Sequence, residues 1–68
     1  MPVISVTMGQ GQTTKAQRKQ LVERLTNEAV EIMKLPAQKF TILINELPVD
    51  SIGVGGHTLE NLLEKQQL

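Results

Sequence analysis

The 68-residue chain has no cysteine, tryptophan or tyrosine, one phenylalanine, one histidine and no excess charge of either sign. Each absence closes off a class of protein. Without cysteine there is no disulfide to brace a small fold, and with His57 as the sole histidine a structural zinc has no ligand set. One aromatic ring offers no platform for stacking bases. Seven Lys+Arg balance seven Asp+Glu, with no like-charge run beyond two residues, so the electrostatic footprint of a nucleic-acid binder is missing. No apolar run approaches the roughly 20 residues that span a bilayer, and the start lacks the basic segment and apolar run of a secretory signal. A cytoplasmic protein is expected, with no membrane partner.

What remains is one domain, residues 1–68, since two units could not each own a core at this length. The conformational entropy lost on ordering such a chain is barely offset by so small a core. With disulfides and metal excluded, self-association is the remaining source of stability.

Pattern along the chain gives an α+β reading. Residues 2–8 alternate, with Ile4, Val6 and Met8 on one face and Ser5 and Thr7 on the other, which is a strand. Gly9-Gln10-Gly11-Gln12 breaks it into a turn, without the lysine or glycine fingerprint of a phosphate cradle, and no cofactor is called for. Thr14 with Gln17 three residues on fits a capping box. Leu21, Val22, Leu25, Ala29, Ile32 and Met33 then recur at helical spacing, while Arg18, Lys19, Glu23, Arg24, Asn27 and Glu31 take the remaining surface. Pro36 stops this helix near Lys34. Residues 40–47 form a second strand, apolar on both faces. The crossover between the strands is long enough to make them parallel. Ile52 to Gly56 suits a tight hairpin, and residues 58–68 form a short helix capped by Thr58 or an ordered arm. One helix covers one sheet face, so the other must be buried by another subunit.

A Met-Pro start running directly into a strand, a turn carrying Gly11, one amphipathic helix, a strand ending Ile-Asn-Glu-Leu-Pro (residues 44–48) and then Gly53-Val54-Gly55-Gly56 together resemble the 4-oxalocrotonate tautomerase family over residues 2 to about 57. The resemblance implies a β-α-β subunit with a C-terminal hairpin, pairing into a four-stranded sheet, with three such dimers forming a homohexamer. It also implies an isomerase that catalyses keto-enol tautomerisation or a proton shift on a small unsaturated 2-oxo acid. Pro2 is its general base, freed as an amino terminus when Met1 is removed, and no cofactor or metal takes part. Such a reaction needs a base that takes a proton and returns it near the working pH. A secondary amine set among apolar groups such as Ile4, Leu43, Ile52 and Val54 has its charged form penalised toward that range.

The positions that hold substrate depart from the family pattern. An arginine expected after the turn glycine is Gln12, a second one early in the second strand is Thr41, and the aromatic residue before the glycine loop is Ile52. Both cationic anchors are missing. Lys39, two residues before Thr41, is the expected replacement if the strand already runs there, with Lys15 and Arg18 as weaker candidates; the expected substrate contacts are Lys39, Gln12, Thr41 and Ile52. Two other functions stand beside the isomerase: a hydratase or dehalogenase of the same family, and a catalytically weak subunit of a hetero-oligomeric ring.

Overall fold

In the computed structural model, which describes residues 1–66, the order is β1 (Val3–Gly9), α1 (Lys15–Met33), β2 (Thr41–Leu47), β3 (Gly53–Val54), β4 (His57–Thr58) and α2 (Leu59–Gln66). Residues 67 and 68, the end of the expected C-terminal arm, lie outside the described part. Strands β1 and β2 are parallel, paired from Val3 with Thr41 through to Gly9 with Leu47. The expected β-α-β subunit is therefore present, with each strand beginning one residue later than the pattern suggested. Helix α1 starts as expected, because the Thr14 hydroxyl accepts the Gln17 amide at 3.1 Å and the Gln17 side chain accepts the Thr14 amide at 2.9 Å. This reciprocal pairing satisfies two donors that a helix start leaves orphaned.

The other end of α1 is less relaxed. Lys34 adopts a left-handed conformation, φ 57°, and its amide closes the helix on the Val30 carbonyl at 2.9 Å, one residue before Leu35 is turned away by Pro36. A side chain in that region costs about 1–2 kcal/mol, and glycine removes the penalty. Lys34→Gly is expected to stabilise the fold by about 1 kcal/mol, read as a higher thermal midpoint at fixed chain concentration; an unchanged or lower midpoint would contradict it.

The short hairpin β3–β4 turns through Gly55 and Gly56, at φ 60° and 86°, the positive pair that a two-residue turn of this hand requires. Directly after it, the Thr58 hydroxyl accepts the Asn61 amide at 3.2 Å and caps α2, so the C-terminal stretch is a helix. Among the described residues no helix is long and apolar enough to cross a membrane.

Packing is one-sided. Register sets Ile4 beside Ile42 and Val6 beside Ile44, all half-buried, on the face where Thr13 and Arg18 at the start of α1 meet Met8 and Glu46. On the opposite face Val3 and Leu43 are 48% and 47% exposed. No apolar side chain among the described residues is fully buried. The radius of gyration is 15.4 Å, against about 11 Å for a compact globule of this length. The chain therefore has the secondary structure of a core layer and lacks the layer that would close it.

Candidate active site

Two groups of residues form at opposite ends of the strand pair. At the starting end, the Thr41 amide donates to the Pro2 carbonyl at 3.0 Å, which ties the residue ahead of β1 to the first residue of β2. Pro2 and Thr41 are half-buried, while Met1 projects at 91% exposure. Lys39 is close in sequence but sits differently from expectation. Residues Ala37–Lys39 form a single 3-10 turn, with the Lys39 amide donating to the Pro36 carbonyl at 3.0 Å and Phe40 leaving the turn in extended form. The strand does not run through Lys39, so the alternation that would put it on one face with Thr41 does not apply. Its side chain is exposed beside the entrance to the strands.

At the finishing end, the Gln10 amide donates to the Leu47 carbonyl at 2.8 Å and Gly11 turns at φ 82°, which presents Gln12 at the surface. Ile52 is half-buried there, and its carbonyl accepts the Leu59 amide at 2.7 Å. The length of the strands separates the two ends, a span of roughly 20 Å at about 3.3 Å per residue. The structure thus joins Pro2 to Thr41, has Lys39 only near in sequence, in the turn that precedes β2, and leaves Gln12 and Ile52 at the other end of the strands. Within one chain, Ile52 and Val54 do not wall Pro2.

Sequence reading misses two residues that shape the finishing end. Arg18, by its type a residue of the solvated face or a weak anchor, is half-buried: its Nη1 donates to the Thr13 carbonyl at 3.0 Å and hydroxyl at 3.3 Å, and lies 3.5 Å from Glu46 Oε1. Through Nη1 that guanidinium holds the turn bearing Gln12 against β2. The spacing 18, 21, 25, 29, half-buried throughout, places it on the inner helix stripe, which is the signal that could have found it. Gly9 is the other. It is the one buried residue among those described, and a β-carbon there would lie 3.1 Å from Leu59 Cδ2 and 3.5 Å from both Ile52 Cδ1 and Val49 Cγ1. The missing side chain is the space in which these three apolar tips dock on the end of β1.

The model of the tautomerase enzyme family matches residues 2–62, from the proline ahead of β1 into α2. The chain belongs to the tautomerase family. Solved members share its architecture. The 4-oxalocrotonate tautomerase isozymes of Methylibium petroleiphilum align at a TM-score of 0.88 with 28% identity, over 94% of this chain and 98% of theirs. An unfused 4-OT in apo form aligns at 0.77 with 31% identity, over 85% and 98%. The heterohexameric 4-oxalocrotonate tautomerase of Chloroflexus aurantiacus aligns at 0.83 with 26% identity, over 91% and 98%. No curated protein matches in sequence. Within this tautomerase fold, Pro2 leads straight into the first strand of a β-α-β unit, the C-terminal hairpin included.

Proposed function

We propose that this tautomerase-family chain is an isomerase moving a proton between oxygen and carbon of a small unsaturated 2-oxo acid, with the Pro2 amine as general base. The observation carrying this reading is the pairing of the Pro2 carbonyl with the Thr41 amide at 3.0 Å, behind a Met1 that is 91% exposed. Removal of Met1 leaves a secondary amine whose ring is already fixed to the sheet, so its lone pair has one direction. The amine takes the hydroxyl proton of the enol as the carbonyl forms, and the resulting ammonium returns it to carbon. The proton taken up is the proton given back, so the amine is restored and no cofactor is consumed.

The roughly 20 Å between Pro2 and the Gln12 and Ile52 end supports a pocket shared between subunits, one supplying the amine and another the opposite end. A homohexamer built as a trimer of dimers fits, each dimer a four-stranded sheet. Six chains of 7.5 kDa (6 × 7.5) give 45 kDa. Assembly also supplies the layer that the open sheet face lacks.

The test is a survey of enol and dienol acids, with and without a second carboxylate, using protein whose mass shows Met1 removed. Turnover of monoacids is expected, and no turnover of any enol acid would overturn the reading. Lys39 is the cation nearest in sequence to the Pro2 end, and we assign it the substrate carboxylate. Being exposed, it contributes modestly: Lys39→Ala is expected to raise KM for an acid by about fivefold and to leave that for its ester unchanged. Equal effects on both would remove Lys39 from the site. A second reading, a weakly active subunit of a mixed ring, draws on the absent arginines at Gln12 and Thr41 and on the heterohexamer of Chloroflexus. Strong activity of the chain alone would exclude it.

A further inference from the structure

A base that takes and returns a proton near neutral pH needs water kept from its charged form. With Ile52 at the other end of the strands, the Pro2 amine needs an apolar wall nearer by. The start of the ladder supplies one. Strands β1 and β2 pair from Val3 beside Thr41, and the 3.0 Å bond from the Thr41 amide to the Pro2 carbonyl reaches back to the residue ahead of β1. The next rung is therefore Pro2 beside Phe40. Phe40 leaves its 3-10 turn at φ −99° and ψ 141°, an extended conformation, so the alternation that fails for Lys39 holds between Phe40 and β2. Burial follows the same count: Pro2, Ile4 and Val6 are half-buried on one strand and Phe40, Ile42 and Ile44 on the other, whereas Val3, Ser5 and Leu43 are exposed. The pyrrolidine ring and the one aromatic ring of the chain thus share a face on neighbouring strands, with backbones about 4.8 Å apart.

We propose that Phe40 sets the proton affinity of the Pro2 amine by keeping water from one side of its charged form. The proposal rests on the isomerase reading for the role of the amine, and Phe40 acts through Pro2, not on the substrate. Two effects of the ring oppose each other. Exclusion of water penalises the ammonium and moves its pKa down, by up to several units where burial is complete. The face of the ring attracts the ammonium and moves the pKa up, by about half a unit at a partly exposed site. Pro2 is half-buried, and Ile4 and Ile42 come next along the same face with no such attraction to offer, so exclusion is the larger effect and the net shift is downward. Charged groups compete little. Strand β1 carries none, Glu46 of β2 lies at the other end, and the elements that pack at this end offer Lys39 in the turn and Glu31 and Lys34 at the close of α1, all exposed and screened by solvent.

The proton affinity is read without substrate, from the magnetic resonance shift of the Pro2 nitrogen against pH in protein that carries labelled proline and whose mass shows Met1 removed. Pro36 and Pro48 have acylated nitrogens and do not titrate. Phe40→Ala opens that side of the amine to water and is expected to raise its pKa by about one unit. Phe40→Val, β-branched and suited to an extended residue, is expected to raise it by about half as much and carries the test where the alanine variant does not fold. Phe40→Leu keeps most of the apolar cover and should leave the pKa nearly unchanged. Circular dichroism and sedimentation matching the parent separate lost cover from lost structure. No rise in the alanine and valine variants, a rise in the leucine variant equal to that of alanine, or a fall in the leucine variant would each overturn the proposal. In turnover of an enol acid, the acid limb of kcat/KM should move with the resonance, about tenfold lower for Phe40→Ala at a pH below both pKa values and equal to the parent well above them. Absence of turnover in the parent would remove the isomerase reading while the titration still decides the role of Phe40, so the two failures are distinguishable.

Discussion

Pro2→Ala is expected to lower the rate of enol-acid isomerisation by roughly 10²- to 10⁴-fold and leave the far-ultraviolet spectrum and the oligomer intact. Alanine still permits removal of Met1 and still offers an amine, but a primary one that rotates freely about its bond to Cα. The Thr41 amide keeps its partner, since the contact is to the carbonyl of residue 2 and not to its ring. What is lost is the ring's hold on the direction of the lone pair, together with the secondary character of the base. A companion protein with one extra residue ahead of Pro2 should be as inactive, because an acylated nitrogen takes up no proton. Intact-mass analysis decides the matter: active protein that retains Met1 would end the mechanism.

The second large effect is on stability. No apolar side chain of the described chain is buried, and the open sheet face carries Val3, Leu43 and Leu47. Folding and association should then be one event, with unfolding governed by mass action. For six chains coming apart as they unfold, tenfold dilution removes about 1.1 kcal/mol per chain, which lowers the thermal midpoint by about 8 °C. A midpoint independent of concentration from micromolar to millimolar, together with a monomeric mass by sedimentation, would refute this.

Much of the subunit is legible in the sequence, for reasons that are local. Alternation in residues 2–8, the Thr14 and Gln17 pair and the stop at Pro36 each act within a few residues, so no tertiary contact is needed to read them. The turn at Gly55 and Gly56 and the cap at Thr58 belong with these. Where the reading fails, the cause lies in a partner that pattern does not show. Arg18 looks solvated by residue type and is half-buried because Glu46, 28 residues later, receives it. Lys39 takes strand geometry from its neighbours on paper, but the Pro36 carbonyl accepts its amide and closes a turn instead. For the candidate site the sequence offers names without an arrangement, since alternation says nothing about which end of a sheet a loop returns to.

At Gly9 the absent side chain makes the end of β1 a socket, and Leu59, Ile52 and Val49 are the plug. The arm from Ile52 through α2 is thus seated by a void and not by a knob, so its angle to the sheet is set by how much of that void is filled. A methyl group at position 9 meets the tip of Leu59 at 3.1 Å, a clash that the end of a flexible side chain absorbs by moving a few tenths of an ångström. A larger residue meets all three tips at once and is expected to push the arm outward, while the β1–β2 ladder, bonded through its backbone, is expected to stay in place. Graded bulk at Gly9 is therefore expected to shift Ile52 stepwise, at the end of the strand opposite Pro2, and to leave the proline where it is.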